Sequence, residues 1–285
     1  MKKALLISLL VLTSMSFAAI TEDNPYDASA FDNDIQLTSG SVYPNYTEAL
    51  QLGEEGACKL AKELWGWTDG SCDGIDKILL LTAPTIDTIV VEVPQNIGYV
   101  EYDDWYKENK NKDIAEIVKE LKLAYKEQGK RKNGEMEWIK WIVYPTLVEE
   151  KNYMYYAFLM SDEGVKSAII NAVIYDRNGY IKFQIVTYLT DSSSESEYRE
   201  TVESALDLYT PNIGQRYADF TQGDDVYKFG IIGSLAALAG VSWKGKGRAA
   251  AAGIFGMILI FAKKLWWLIF IPFVVLFKKL FRKKD

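Results

Sequence analysis

Two cysteines and several groups of acidic residues are the side chains of this sequence that could take part in catalysis, metal binding or disulfide formation. The sequence contains no histidine. This excludes Ser-His-Asp and Cys-His catalysis, zinc sites with histidine ligands and the commonest general base of enzymes. We therefore predict a protein that is not an enzyme, has no cofactor and has no metal site.

Carboxylate chemistry is the class of catalysis that remains. Glu101, Asp103 and Asp104 follow two tyrosines and form the densest acidic group. Two carboxylates could hydrolyse a glycosidic bond if they stood about 5 to 9.5 Å apart in a cleft. Acidic residues are common in this chain, so a solvated loop is the favoured interpretation. A carboxylate-type hydrolase is the alternative.

A second acidic group has part of the spacing of a calcium-binding loop. Counting from Asp69, Ser71 and Asp73 occupy two ligand positions and Gly74 occupies the position of the tight turn. The closing position holds Leu80, where a bidentate glutamate is required. An ordinary turn is therefore favoured over an EF-hand.

Cys58 and Cys72 are the only cysteines of the chain. Their spacing is not that of a CxxC pair and indicates neither a redox motif nor a zinc site. Both lie in the part of the chain that we expect to be exported, where disulfides form. We predict a disulfide between them, with two free thiols as the alternative.

Three segments with different compositions organise the chain. Lys2 and Lys3 precede a short apolar run, and Ser16-Phe17-Ala18 is typical of a signal-peptidase site. We therefore interpret residues 1–18 as a signal peptide, residues 19–228 as an exported acidic domain and residues 229–285 as a membrane anchor with basic clusters.

The charges of these segments differ in sign. Residues 229–285 carry ten basic residues and one acidic residue, so with Lys2 and Lys3 set aside the overall charge of −7 leaves −18 for residues 20–228. An acidic domain repels nucleic acid, which we exclude as a partner. Basic residues beside apolar segments stay in the cytoplasm. We predict a membrane protein with its domain on the extracytoplasmic side and its carboxy terminus in the cytoplasm.

The anchor contains two apolar runs. Ile254 to Phe277 is long enough to cross a bilayer, although Lys263 and Lys264 interrupt it. Phe229 to Trp243 is shorter, and either packs beside that span or lies at the membrane surface. Trp266 and Trp267 are typical of the interfacial belt of a membrane protein. The lipid bilayer is thus the first predicted partner.

The domain has the pattern of an α+β fold, an antiparallel sheet with helices packed on one side. We predict helices at 47–64, from Asp113 to Gly129 and from Ser194 or Ser196 to Leu208, and strands at 78–82, 88–93 and 97–102. Four later strands are predicted from Met136 to Pro145 and at 152–160, 166–175 and 180–189. An Asn178-Gly179 pair predicts a hairpin between the last two.

Aromatic residues are frequent in these later strands. Some of Trp138, Trp141, Tyr144, Tyr153, Tyr155 and Tyr156 should face outward if the strands alternate. Core packing explains most of them, and a surface that recognises glycan, peptide or protein is the alternative.

Two motifs resemble a known family. One is Gly98-Tyr99-Val100 followed by acidic residues, and the other is the run Gly214-Gln215-Arg216-Tyr217-Ala218-Asp219-Phe220 ahead of the apolar tail. Both are similar to motifs of the bacterial membrane-anchored proteins grouped as domain of unknown function 2167. The resemblance covers most of the chain after Asp34, and it implies membrane anchoring but no activity, because the family has none assigned.

Together these features predict a cell-envelope protein whose exported domain is tethered to the inner membrane and acts through contacts with a membrane or envelope protein. A tethered module that binds a glycan, peptide or small molecule is the alternative.

Overall fold

A computed structural model describes residues 24, 26–30, 34–43, 49–65, 74–81, 83–131 and 134–241. Several residues with sequence predictions lie outside these ranges. They are the signal peptide at 1–18, the calcium-like positions at 69–73, Cys72, Trp243, Ile254, Trp266, Trp267 and Phe277.

The described residues form eleven strands, four α-helices and three short 3₁₀ helices. The strands are β1 (Ser29–Ala30), β2 (Ile35–Gln36), β3 (Gly40–Val42), β4 (Ala49–Leu52), β5 (Ile75–Leu81), β6 (Ile86–Glu92), β7 (Met136–Val148), β8 (Tyr153–Asp162), β9 (Val165–Asp176), β10 (Gly179–Thr187) and β11 (Tyr209–Pro211). The helices are α1 (Glu54–Trp65), α2 (Lys110–Arg131), α3 (Glu195–Leu206) and α4 (Gly230–Leu238).

Eight of the strands form one antiparallel sheet in the order β1-β4-β5-β6-β10-β9-β8-β7. A small antiparallel sheet has the order β11-β3-β2. The predicted α+β class with an antiparallel sheet is confirmed.

The prediction that the helices pack on one side of the sheet is wrong. Successive side chains of a strand point to opposite faces, and in β8 Tyr155 joins a core with Tyr198 and Val202 of α3. Its neighbour Tyr156 joins a second core with residues of α2 and α4. Helix α1 covers β5 and β6 on the same face as α2 and α4. The sheet is buried on both faces because the central strands are apolar at consecutive positions.

Three predicted elements differ in the structure. Ala49–Leu52 pairs with β5 as a strand, so α1 begins after Gly53 and not at Thr47, which lies outside the described residues. Residues 97–102 are not a strand, because the amides of Gly98 and Tyr99 bond to two different loops. Strand β7 continues through Pro145, which an edge strand with bulges tolerates.

The hairpin between β9 and β10 and the start of α3 are confirmed. Asp176 pairs with Gly179, so Arg177 and Asn178 form the two-residue turn. The hydroxyl of Ser194 accepts a hydrogen bond from the amide of Glu197, whose carboxylate accepts one from the amide of Ser194. This capping box fixes the start of α3.

Helix α4 lies in the core of the domain. Ile231, Ile232 and Leu235 are buried beside α2 and the sheet, and the hydroxyl of Ser234 is 2.7 Å from that of Tyr175. The predicted start of the anchor at Phe229 is therefore inside the globular domain. Among the described residues, no helix combines the length and apolar character needed to cross a bilayer.

Candidate functional site

A polar cleft with a volume of about 740 Å³ opens between four loops and the β9-β10 turn. The loops approach from distant parts of the sequence, around residues 38–39, 94–98, 212–215 and 223–225. The residues that line the cleft are Thr38, Ser39, Pro94, Asn96, Gly98, Asp176, Asn178, Asn212, Ile213, Gln215, Gly223, Asp224 and Asp225.

The β9-β10 turn forms one wall of the cleft. Oδ1 of Asp176 accepts a hydrogen bond of 2.8 Å from the amide of Asn178, and the Asp176 side chain is 2% exposed. Burial raises the pKa of the Asp176 carboxyl. A Cβ at Gly179 would overlap the carbonyl oxygen of Gln95, so glycine is required for the 94–98 loop to approach this turn.

The turn is tied to the loops at 212–215 and 221–225. Arg177 donates from Nε and Nη2 to the two carboxylate oxygens of Asp224, at 2.8 and 2.7 Å. This pairing lowers the pKa of Asp224 to about 2. Nδ2 of Asn178 donates to Oε1 of Gln215 at 2.7 Å. Two side-chain contacts thus hold the wall to its neighbouring loops.

The small sheet braces the opposite wall. The hydroxyl of Ser39 is 2.9 Å from that of Tyr209. The carbonyl of Ser39 accepts a hydrogen bond from the amide of Asn212. The amide of Thr38 donates to Asp76 at 2.9 Å. These bonds fix the positions of the lining residues, so the cleft is formed before any ligand enters.

Lysine and arginine are absent from the part of the cleft lining that the structure describes. Its three carboxylates are in different environments, because Asp224 is paired with Arg177, Asp176 is buried and Asp225 is exposed. A group of at least three metal-ligating side chains does not occur within the described ranges.

The two motifs that carry the family resemblance meet behind the cleft. The ring of Tyr99 stacks on those of Tyr217 and Phe220, with centroids 4.3 and 4.0 Å apart. Tyr217 also stacks on Tyr102, at 4.8 Å, and donates its hydroxyl proton to the carbonyl of Val100 at 2.7 Å. We call Tyr99, Tyr102, Tyr217 and Phe220 the aromatic stack. Burial raises the pKa of Tyr102 and of Tyr217.

The remaining motif residues shape the backbone around the stack. Gly98 has a φ of +102°, and a Cβ there would lie 3.0 Å from the amide nitrogen of Tyr227. Gly214 lies in the loop that lines the cleft, and the amide of Arg216 donates to the carboxylate of Asp219 at 3.0 Å. Residue 216 also pairs with Asp176 in an isolated bridge. The motifs therefore support the cleft and supply two of its lining residues, Gly98 and Gln215.

The acidic group at 101–104 does not line the cleft. Glu101 and Asp103 are exposed, whereas Asp104 accepts hydrogen bonds from the amides of Ile231 and Ile232 at 2.9 and 3.0 Å. Asp104 lies in a short 3₁₀ helix, Asp103–Tyr106, and thus caps the start of α4 from a distant part of the sequence. Burial raises the pKa of Asp104 in spite of these two bonds.

The aromatic strands do not form the alternative binding surface considered from the sequence. Tyr153, Tyr155, Tyr156 and Trp138 are buried, and only Tyr144 of the six is exposed. Trp141 is half-buried beside Phe158. Both faces of β8 are covered, so alternation along the strand brings none of its aromatic residues to the surface.

Cys58 lies in α1 and is bonded in a disulfide. Its pairing with Cys72 stays a prediction, because Cys72 lies outside the described residues.

Most of the cleft is not predicted from the sequence. The turn at 176–179 is predicted as a hairpin without a role for its polar side chains, and Asn96, Asn212 and Asp224 are not predicted as site residues. The available signal was the density of Asp, Asn and Gly in three short loops. That signal does not say which loops meet.

Comparisons with known proteins give a family and a weak similarity to a solved structure. A comparison with curated proteins finds no match. The solution structure of cyanobacterial PsbP (CyanoP) from Synechocystis sp. PCC 6803 is similar at 11% sequence identity and a TM-score of 0.33, over 65% of this chain and 92% of that chain. A family model described as "Protein of unknown function (DUF2167)" matches residues 35–274.

Proposed function

The chain belongs to the DUF2167 family of proteins of unknown function, and from that premise we propose that it is a tethered cell-envelope protein that acts by binding and not by catalysis. The exported domain carries the binding site, which is the polar cleft. The carboxy-terminal segment holds this domain at the bacterial inner membrane, with the domain in the periplasm and the carboxy terminus in the cytoplasm.

The observation that carries the proposal is the convergence of the two family motifs on one pre-formed cleft. Residues 98–100 and 214–220 are more than a hundred positions apart, yet Tyr99 stacks directly on Tyr217. The stack holds the loops that contain Gly98 and Gln215, both of which line the cleft. Pre-formed concave sites with convergent polar groups are typical of ligand binding.

The carboxylates of the cleft favour binding over hydrolysis. Asp224 is held in an ion pair with Arg177, and Asp176 accepts a bond from its own turn. Arg177 thus neutralises the charge of Asp224, and the turn fixes the position of Asp176 in the wall of the cleft. The acidic group that a carboxylate-type hydrolase would have used, at 101–104, includes a helix cap.

Photo-crosslinking in intact cells tests the use of the cleft. Ile213 lies at the rim and is 92% exposed, so a benzoylphenylalanine at this position does not disturb the core. We expect a discrete crosslinked species from position 213. Leu123, an exposed residue of α2 outside the lining, is the matched control. Equal crosslinking from both positions, or none from position 213, would contradict the proposal.

The tether is tested separately by extraction. Alkaline carbonate should leave the full-length chain in the membrane fraction, because an apolar span such as 254–277 stays in the bilayer. A tag at Asp285 should be digested by protease in inverted vesicles and protected in intact cells. Release of the chain by carbonate would refute the anchor without affecting the cleft.

A further inference from the structure

Resting on the proposed function of the cleft, we infer that its ligand is an uncharged saccharide. The inference comes from the kinds of hydrogen-bonding groups on the walls, from the way in which the charged groups are already engaged, and from the apolar residues at the rim.

The walls offer donors and acceptors together. Four of the lining residues carry amides, namely Asn96, Asn178, Asn212 and Gln215, and two carry hydroxyls. The bond from Asn178 to Gln215 uses Nδ2 of one and Oε1 of the other. It therefore orients Oδ1 of Asn178 and Nε2 of Gln215 as an acceptor and a donor side by side. A sugar hydroxyl both donates and accepts, so such a pair matches adjacent hydroxyls on a ring.

The charges of the cleft disfavour ionic ligands. An anionic ligand, such as a phosphate or a uronic acid, would meet three aspartates and, among the described lining residues, no basic side chain. A cationic ligand would find one exposed carboxylate, that of Asp225, because Arg177 neutralises Asp224. The carboxylate of Asp176 is buried and accepts a hydrogen bond from the amide of Asn178, so it is not exposed to pair with a cation. A ligand recognised mainly by hydrogen bonds fits these conditions best.

The rim adds apolar contact. Pro94 and Ile213 line the cleft among the polar residues, and Ile213 is almost fully exposed. The C–H face of a sugar ring packs on aliphatic side chains, while its hydroxyl edge takes hydrogen bonds. A volume of about 740 Å³ lies within the range of small-molecule sites, ~300–1,000 Å³.

The test uses the full-length protein in detergent on an array of uncharged, acidic and amine-bearing glycans, with spermidine and trilysine as non-saccharide cations in calorimetry. We expect uncharged glycans to be retained. Asn96→Ala and Asn212→Ala remove exposed lining amides with little risk to the fold. Each should weaken binding of the retained glycan about three- to tenfold, the effect of one lost hydrogen bond. Asn111→Ala, which removes an exposed amide on α2, should leave binding unchanged.

Three results would overturn the inference. They are retention of no uncharged glycan, binding of spermidine or trilysine in preference to glycans, and equal binding by the Asn96, Asn212 and Asn111 variants. The crosslink at position 213 separates this failure from that of the proposed function. A crosslinked species without saccharide, such as a protein, would refute the sugar and keep the cleft as a binding site. Loss of both the crosslink and glycan binding would refute both.

Discussion

Replacing Asp104 by alanine should loosen α4 from the domain and lower its stability. The carboxylate accepts hydrogen bonds from the amides of Ile231 and Ile232, at 2.9 and 3.0 Å. These are two of the amides that an α-helix leaves without internal partners. Alanine removes both acceptors, and the buried start of the helix has limited access to replacement water.

The size of the effect follows from these two bonds and the cost of burying the charge. A hydrogen bond to a charged group contributes ~1.5–3 kcal/mol, and loss of a helix cap typically costs ~0.5–2 kcal/mol. The sum of two bonds overstates the loss, because burial raises the pKa of Asp104 and the ionised form is itself costly. We expect the free energy of unfolding to fall by about 2 kcal/mol. For a domain of this size that lowers the Tm by roughly 4–8 °C.

Thermal unfolding followed by near-UV circular dichroism measures the change, and hydrogen exchange of the Ile231 amide locates it. Asp103→Ala is the matched control, since it removes an exposed carboxylate one position earlier. Asp104→Asn keeps one acceptor oxygen, so its melting temperature should lie between those of the Asp104→Ala and Asp103→Ala proteins. Equal melting temperatures for the Asp104→Ala and Asp103→Ala proteins would refute the role of Asp104 as the cap.

Three further predictions concern the walls of the cleft. Gly179→Ala places a Cβ against the carbonyl of Gln95 and should lower the free energy of unfolding by about 2–3 kcal/mol in a urea titration; an unchanged midpoint would contradict the close approach. Burial raises the pKa of Asp176 above 3.8, so its contribution to stability is present below that pH and is lost as pH rises through the folded pKa. Asp176→Asn should therefore be more stable than the wild type at neutral pH, with the gain disappearing in acid; a gain independent of pH would exclude titration of Asp176 as its cause. Asp224 has its pKa lowered from 3.8 to about 2, so its contribution is present above 3.8 and is lost as pH falls toward 2. Arg177→Gln should make the acid unfolding curve shallower in that window, and an unaltered curve would show that the ion pair does not contribute.

The sequence predicted the elements whose signals are local. The capping box at Ser194 and Glu197 marks the start of α3, because its two reciprocal bonds join residues three positions apart. The hairpin at 176–179 was predicted for the same reason, since a two-residue turn is encoded by its own residues. The family resemblance was also local, because it depends on contiguous runs such as 214–220.

Secondary-structure predictions from local patterns are wrong where the conformation of a segment depends on contacts with a distant part of the chain. Residues 97–102 have the composition of a strand, but the amide of Gly98 bonds to the turn at Asn178 and that of Tyr99 to Asp225. Ala49–Leu52 lies in a region whose apolar residues have the spacing of a helix, yet it forms a strand because it pairs with β5. Helix α4 is apolar enough to be predicted as part of a membrane anchor, but in the structure it is buried in the domain beside α2.

By itself the sequence determined the antiparallel α+β class, the lack of histidine side chains and the acidic net charge, because these follow from composition and short-range periodicity. Only the tertiary structure decided the cleft. Its walls come from five segments spread between Thr38 and Asp225, and contacts such as Arg177 with Asp224 depend on how the chain returns to itself. Side chains separated by many residues become neighbours through packing of the whole sheet, which no local pattern specifies.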